Sequence, residues 1–142
     1  MRNLRKSAGS IALMSILLAA VQTAAGEEIN GQWVGSSGVV GGRGDDKTLL
    51  ELGAPGDARS SLRIESKVPC SLRDGSFQAA PDGTWTLSFR EANGTEACQR
   101  LARGTFTLHQ DPAEARQLSF AVSYPGPDGQ PNVRQGALLR YP

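Results

Sequence analysis

Cys70 and Cys98 are the only cysteines in the chain, and theirs is the chemistry most directly read from residue type and count. A redox couple is usually spaced C-x-x-C, and a metal site needs more His and Cys than the single histidine, His109, can add. The pair is therefore expected to form one structural disulfide, worth roughly 3–4 kcal/mol through the entropy it removes from the unfolded chain. His109 follows Leu108 at a strand end, beside the turn Gln110-Asp111-Pro112. Its parity opposes that of Phe106 and Leu108, so it is expected to be exposed. No G-x-S-x-G elbow is present to pair with it in a Ser-His-Asp triad. Two carboxylates could hydrolyse a glycoside. However, Asp57, Asp74, Asp82, Asp111 and Asp128 all occupy turn contexts, where Asp bonds its local backbone. The sequon Asn93-Gly94-Thr95 likewise reads as a turn. These residues point to a protein without catalysis, metal or cofactor.

The glycine-rich stretch from Gly35 to Lys47 is the second place where chemistry could reside. It is not a phosphate-cradling P-loop, because Asp46 precedes Lys47 where that motif has glycine, and two carboxylates would repel phosphate. Gly41 to Leu49 resembles the nonapeptide calcium repeat of repeats-in-toxin proteins over those nine residues. Thr48 departs from its pattern, and a single copy lacks the stacked turn that would complete the site. The stretch is expected to be a long connection between the first two strands. Arg43, Asp45 and Asp46 in it, and Asp128 in the loop from Pro125 to Pro131, are the candidate binding residues, because loop tips on a rigid scaffold carry contacts.

The elements that must position these residues follow from a hydrophobic period of two. Large apolar residues alternate with small polar ones in Trp85-Thr86-Leu87-Ser88-Phe89 and in Phe106-Thr107-Leu108. The longest case runs through Leu118, Phe120, Val122 and Tyr124, with Ser119, Ala121 and Ser123 between them. Alternation of this kind describes antiparallel strands with one face in a core and one in water. Turn signals such as Asp74-Gly75, Pro81-Asp82-Gly83 and Asn93-Gly94 separate the runs. Strands are predicted over residues 31–35, 47–52, 60–66, 68–73, 76–80, 84–90, 97–108, 116–124 and 133–141, with no helix between them. The fold class is all-β, a small antiparallel meander barrel of about eight strands, with a β-sandwich as the alternative.

Gly31-Gln32-Trp33 opens the first of these strands. A Gly-x-Trp in that position resembles the calycin group of lipocalins, avidins and the bacterial periplasmic inhibitors of secreted metalloproteases. The resemblance implies an up-and-down barrel whose closed end is plugged by Trp33. The inhibitors are also exported, small and held by one disulfide. They act through an N-terminal arm, whereas here only Glu27 to Asn30 would precede Gly31 once a leader ending at Gly26 is removed.

Residues 1–25 have the parts of a secretory signal peptide: Arg2, Arg5 and Lys6, an apolar run from Ile11 to Val21, then Thr23, Ala24 and Ala25. Cleavage after Ala25 or Gly26 leaves residues 26–142 as a single domain. The apolar run is shorter than the roughly 20 residues that span a bilayer, so no stable membrane insertion is expected. Of the 15 Lys and Arg in the 142-residue chain, three fall in this segment, leaving 12 against 14 Asp and Glu. That balance excludes an electrostatic nucleic-acid binder. Only Lys47 and Lys67 of those 12 are lysines, a bias that suits a GC-rich bacterial genome and hence a periplasmic or secreted protein. Three readings of function follow. A binding module for another protein, such as an inhibitor or immunity protein against a hydrolase or toxin, stands first. A carrier of a small apolar ligand in the barrel lumen is the alternative, and an enzyme comes last.

Overall fold

The computed structural model describes residues 29–142, and the signal peptide expected over 1–25 lies outside the described residues. Nine strands and one short helix follow in order: β1 Gly31–Val39, β2 Asp46–Leu52, β3 Ser60–Glu65, β4 Cys70–Ala79, β5 Trp85–Ser88, β6 Glu91–Asn93, α1 Glu96–Ala102, β7 Thr105–His109, β8 Gln117–Pro125 and β9 Pro131–Arg140. Every pairing is antiparallel, and because both the β1–β9 and the β3–β4 ladders form, the sheet closes into an eight-stranded barrel, not a sandwich. Chain neighbours pair around the wall until β9 reaches β1, while β6 is an extra strand paired only with β4.

Three predicted elements are corrected. Residues 97–108 do not form one strand, because Glu96–Ala102 is helical and only Thr105–His109 is extended. Thr95 caps the helix by accepting from the Cys98 amide at 3.4 Å, and the exposed Glu96 pairs at 3.3 Å with the largely buried Arg100. Cys98 and Leu101, three residues apart, bury one face against the barrel. Asp74-Gly75 is not a turn between two strands but an irregularity inside the single strand β4. Asp74 has φ 52, and a side chain at position 75 would strike the Phe89 ring and the Ser60 carbonyl. There the β3–β4 register shifts between Ser60 and Leu62, which bends the wall so that it can close. Finally, both strands around the glycine-rich stretch run further than predicted, so the connection shrinks to residues 40–45.

The alternating residues fill the interior. Trp33, Phe77, Leu87, Phe106, Leu108 and Leu118 are fully buried. Phe106 meets Phe89 edge-on at 5.3 Å between centroids and Phe120 at 5.6 Å. Trp33 closes one end: its indole Nε1 donates to the Ile29 carbonyl at 2.8 Å, and the Arg140 guanidinium lies 4.4 Å over its ring. The disulfide joins Cys70 at the start of β4 to Cys98 in α1, with Cα atoms 5.5 Å apart, and ties the helix over the other end. Such a bridge fits an oxidising compartment. Among the described residues, no helix is long and apolar enough to cross a membrane.

At the Trp33 end, the β4–β5 turn is set by Asp82, whose Oδ1 accepts from the Thr84 hydroxyl at 2.6 Å and the Thr84 amide at 3.1 Å. These bonds, the hydroxyl foremost, hold the Asp82 carboxyl below its usual range. A lowered carboxyl stabilises the fold above its unfolded value, and that contribution is lost as pH falls through the lower folded value. Thr84→Val is expected to raise the Asp82 titration midpoint toward the ordinary one, as an NMR pH titration of the Asp82 carboxyl would record.

Candidate functional site

Strand direction brings four connections to the helix end: the β1–β2 turn at residues 40–45, the β3–β4 turn at 66–69, α1 with its flanks, and the β8–β9 turn at 126–130. Because β1 pairs with β9, with Val39 opposite Arg134, the first and last of these turns stand side by side. The Val40 amide donates to the Val133 carbonyl at 2.8 Å and fixes that contact. The four residues singled out from the sequence thus share one end of the barrel, but they are not equivalent.

Arg43 and Asp45 are exposed on the β1–β2 turn. Asp128 is exposed on the β8–β9 turn, where its Oδ1 accepts from the Gln130 amide at 3.0 Å and shapes the loop. Asp46 is half-buried and engaged: its Oδ2 accepts from both Nη1 and Nη2 of Arg134 at 3.3 Å. Arg134 Nη1 also donates to the Ser37 carbonyl at 3.1 Å and hydroxyl at 2.9 Å, and Ser37 Oγ lies 2.7 Å from the Thr48 hydroxyl. Although Arg134 Nε finds no partner, the group pairs the buried Ser37 and Thr48 where the apolar core stops and links β9 to β1 and β2 at the mouth.

Residues missed in the sequence complete this end. Val40 is 58% exposed on the β1–β2 turn and Val68 is 54% exposed on the β3–β4 turn. Each is a large apolar residue directly before a turn former, Val40 before Gly41-Gly42 and Val68 before Pro69, which is the local signal for it. Between the β3–β4 turn and α1 lies a crevice of about 110 Å³, lined by Val68, Thr95, Leu101, Tyr124 and Arg134. It is well below the size of a small-molecule pocket, about 300 Å³ or more.

A cleft of about 500 Å³ lies on the outer wall across β1, β9, β8 and β7, with Asp45, Thr107, His109 and Ser119 among its lining. His109 is exposed and faces Ser119 across the β7–β8 ladder. The Ser119 hydroxyl donates to the His109 backbone carbonyl at 3.3 Å rather than to the ring, so it forms no nucleophile–base pair with the imidazole. Among the described residues, no group of three or more His, Cys, Asp and Glu side chains is arranged to hold a metal. No family model, curated protein or solved structure matches the chain.

Proposed function

We propose that this protein is an exported, non-catalytic binding module of the bacterial periplasm or medium. It engages another protein, a hydrolase or toxin, through the helix end, as an inhibitor or immunity protein does. The observation that carries this reading is the pair Val40 and Val68, exposed on two turns at one end of a barrel whose interior is already filled by its own rings. Apolar side chains on turns of a rigid, disulfide-tied scaffold supply the anchors that protein interfaces need, while Arg43, Asp45 and Asp128 supply a polar rim. The filled interior favours this reading over a ligand carrier, whose lumen must stay open. The Trp33 plug, with Gly31 before it, supports placing the fold with the calycin-like barrels.

The test is capture of partners from the native envelope and culture medium by the oxidised protein, read by native mass spectrometry. A stoichiometric protein complex is expected, and V40D/V68D should weaken it about 100-fold or more, the effect of burying charge at two central anchors. A small-molecule adduct with no protein partner would overturn the reading in favour of the lumen.

A further inference from the structure

The barrel wall is interrupted at one place. The β5–β7 ladder ends at Leu87 opposite Phe106, after which the chain passes through Phe89 and Arg90 into β6. β6 continues along β4 and has no strand on its other side. Between that open edge, the last turn of α1 and the start of β7 lies a cleft of about 470 Å³ on the flank of the helix end. Arg90, Ala92, Gln99, Arg103 and Thr105 are among its lining residues, which include two guanidinium groups and no carboxylate. Arg90 and Arg103 are both exposed, and neither forms an ion pair or a side-chain hydrogen bond among the described residues. The edge itself is only partly covered: the Gln99 side-chain amide donates to the Ala92 carbonyl at 3.0 Å.

We infer that this cleft receives an extended acidic segment of the protein partner, with its carboxylates on Arg90 and Arg103 and its backbone alongside β6. The inference rests on the protein-binding reading and adds the chemistry of what is bound. A guanidinium presents a planar fork of donors that a carboxylate meets with two parallel bonds. An unpaired strand edge beside such a fork is the arrangement by which an extended peptide docks through its backbone and is selected by its side chains. A basic or apolar segment would leave two cations in the cleft without counter-charge. A compact anion would not need the edge.

The probe is a short fluorescein-labelled peptide of alternating Glu and Ser, titrated into the oxidised protein at low salt and followed by anisotropy. Saturable binding is expected. It should weaken about tenfold in R90A or R103A, as loss of a charge-assisted bond does, and disappear in high salt. R90K/R103K should retain part of it, since charge without the planar fork remains. Equal binding of a Gln-and-Ser peptide, or full binding by R90A/R103A, overturns the inference. Displacement by inorganic phosphate at matched charge also overturns it, in favour of a small-anion site. Both arginines are exposed, so these variants are expected to keep the wild-type circular dichroism and melting temperature.

Partner capture separates the two proposals. A complex weakened by V40D/V68D but untouched by R90A/R103A would remove the cleft and leave the loop end. Acidic-peptide binding without any captured partner would remove the inhibitor reading and leave the cleft.

Discussion

Trp33→Ala is expected to destabilise the barrel by about 3–5 kcal/mol, the cost of a large cavity in a packed core. A domain of this size has only about 5–15 kcal/mol in total. Three contributions are lost together. The ring is fully buried at the closed end, its Nε1 satisfies the Ile29 carbonyl, and its face supports the Arg140 guanidinium. Trp33→Phe separates them: most of the apolar volume stays, while the Ile29 carbonyl loses its donor, and the expected cost is about 1–2 kcal/mol. Urea unfolding followed by circular dichroism measures both, and the midpoints should fall without change in slope. A loss below about 1 kcal/mol in Trp33→Ala would mean that the end is held by other contacts.

Removing the disulfide comes next in size. The bridge spans 28 residues. A loop of that length gives about 3.5 kcal/mol on the chain-entropy model. Cys70→Ala/Cys98→Ala should lower the unfolding midpoint accordingly, and the damage should be uneven. α1 has seven residues, too few for a helix to stand alone, and it is held by Thr95, Leu101 and the bridge. Amide exchange in residues 94–104 should therefore accelerate more than at the Trp33 end, where Ile29, Trp33 and Arg140 remain in contact. Uniform acceleration would mean that the bridge serves the whole barrel and not the helix.

The strands that alternate cleanly are legible in sequence, because each side chain declares its face. Leu118 to Tyr124 and Phe106 to Leu108 lie where their period places them, and the fold class follows from such runs. The helix was hidden by its length. Thr95, Glu96 and Arg100 carry capping and pairing signals, but one buried face of Cys98 and Leu101 is too short to outweigh the extended pattern of Phe106 and Leu108 beside it. Asp74-Gly75 has the composition of a hairpin turn, and only the ring of Phe89 and the register of β3 reveal it as a bulge. The candidate end was half legible. Turn composition picks out Arg43, Asp45 and Asp128, but the use of Asp46 depends on Arg134, 88 residues away. The grouping of Val40 with Val68 depends on the consecutive pairing of β1 to β4, and that of Arg90 with Arg103 on α1 and the β5–β7 pairing, which no local pattern encodes.

The pairing of β1 with β9 sets the order in which the molecule can come into being. Trp33 stands opposite Arg140, so β1 must wait for β9 before its second neighbour exists. Contacts so distant in sequence slow folding from microseconds toward milliseconds or seconds. For a protein exported as proposed, that delay is useful, since a closed barrel could not pass through a narrow channel as an extended thread. Until Arg140 has emerged, β1 presents an open edge, and the interval between emergence and closure is when the chain is most vulnerable to aggregation. Because the seam joins β1 to β9, the sheet stays open until β9 is made, and for a protein exported as proposed this postpones commitment to the folded state while the chain is still a thread.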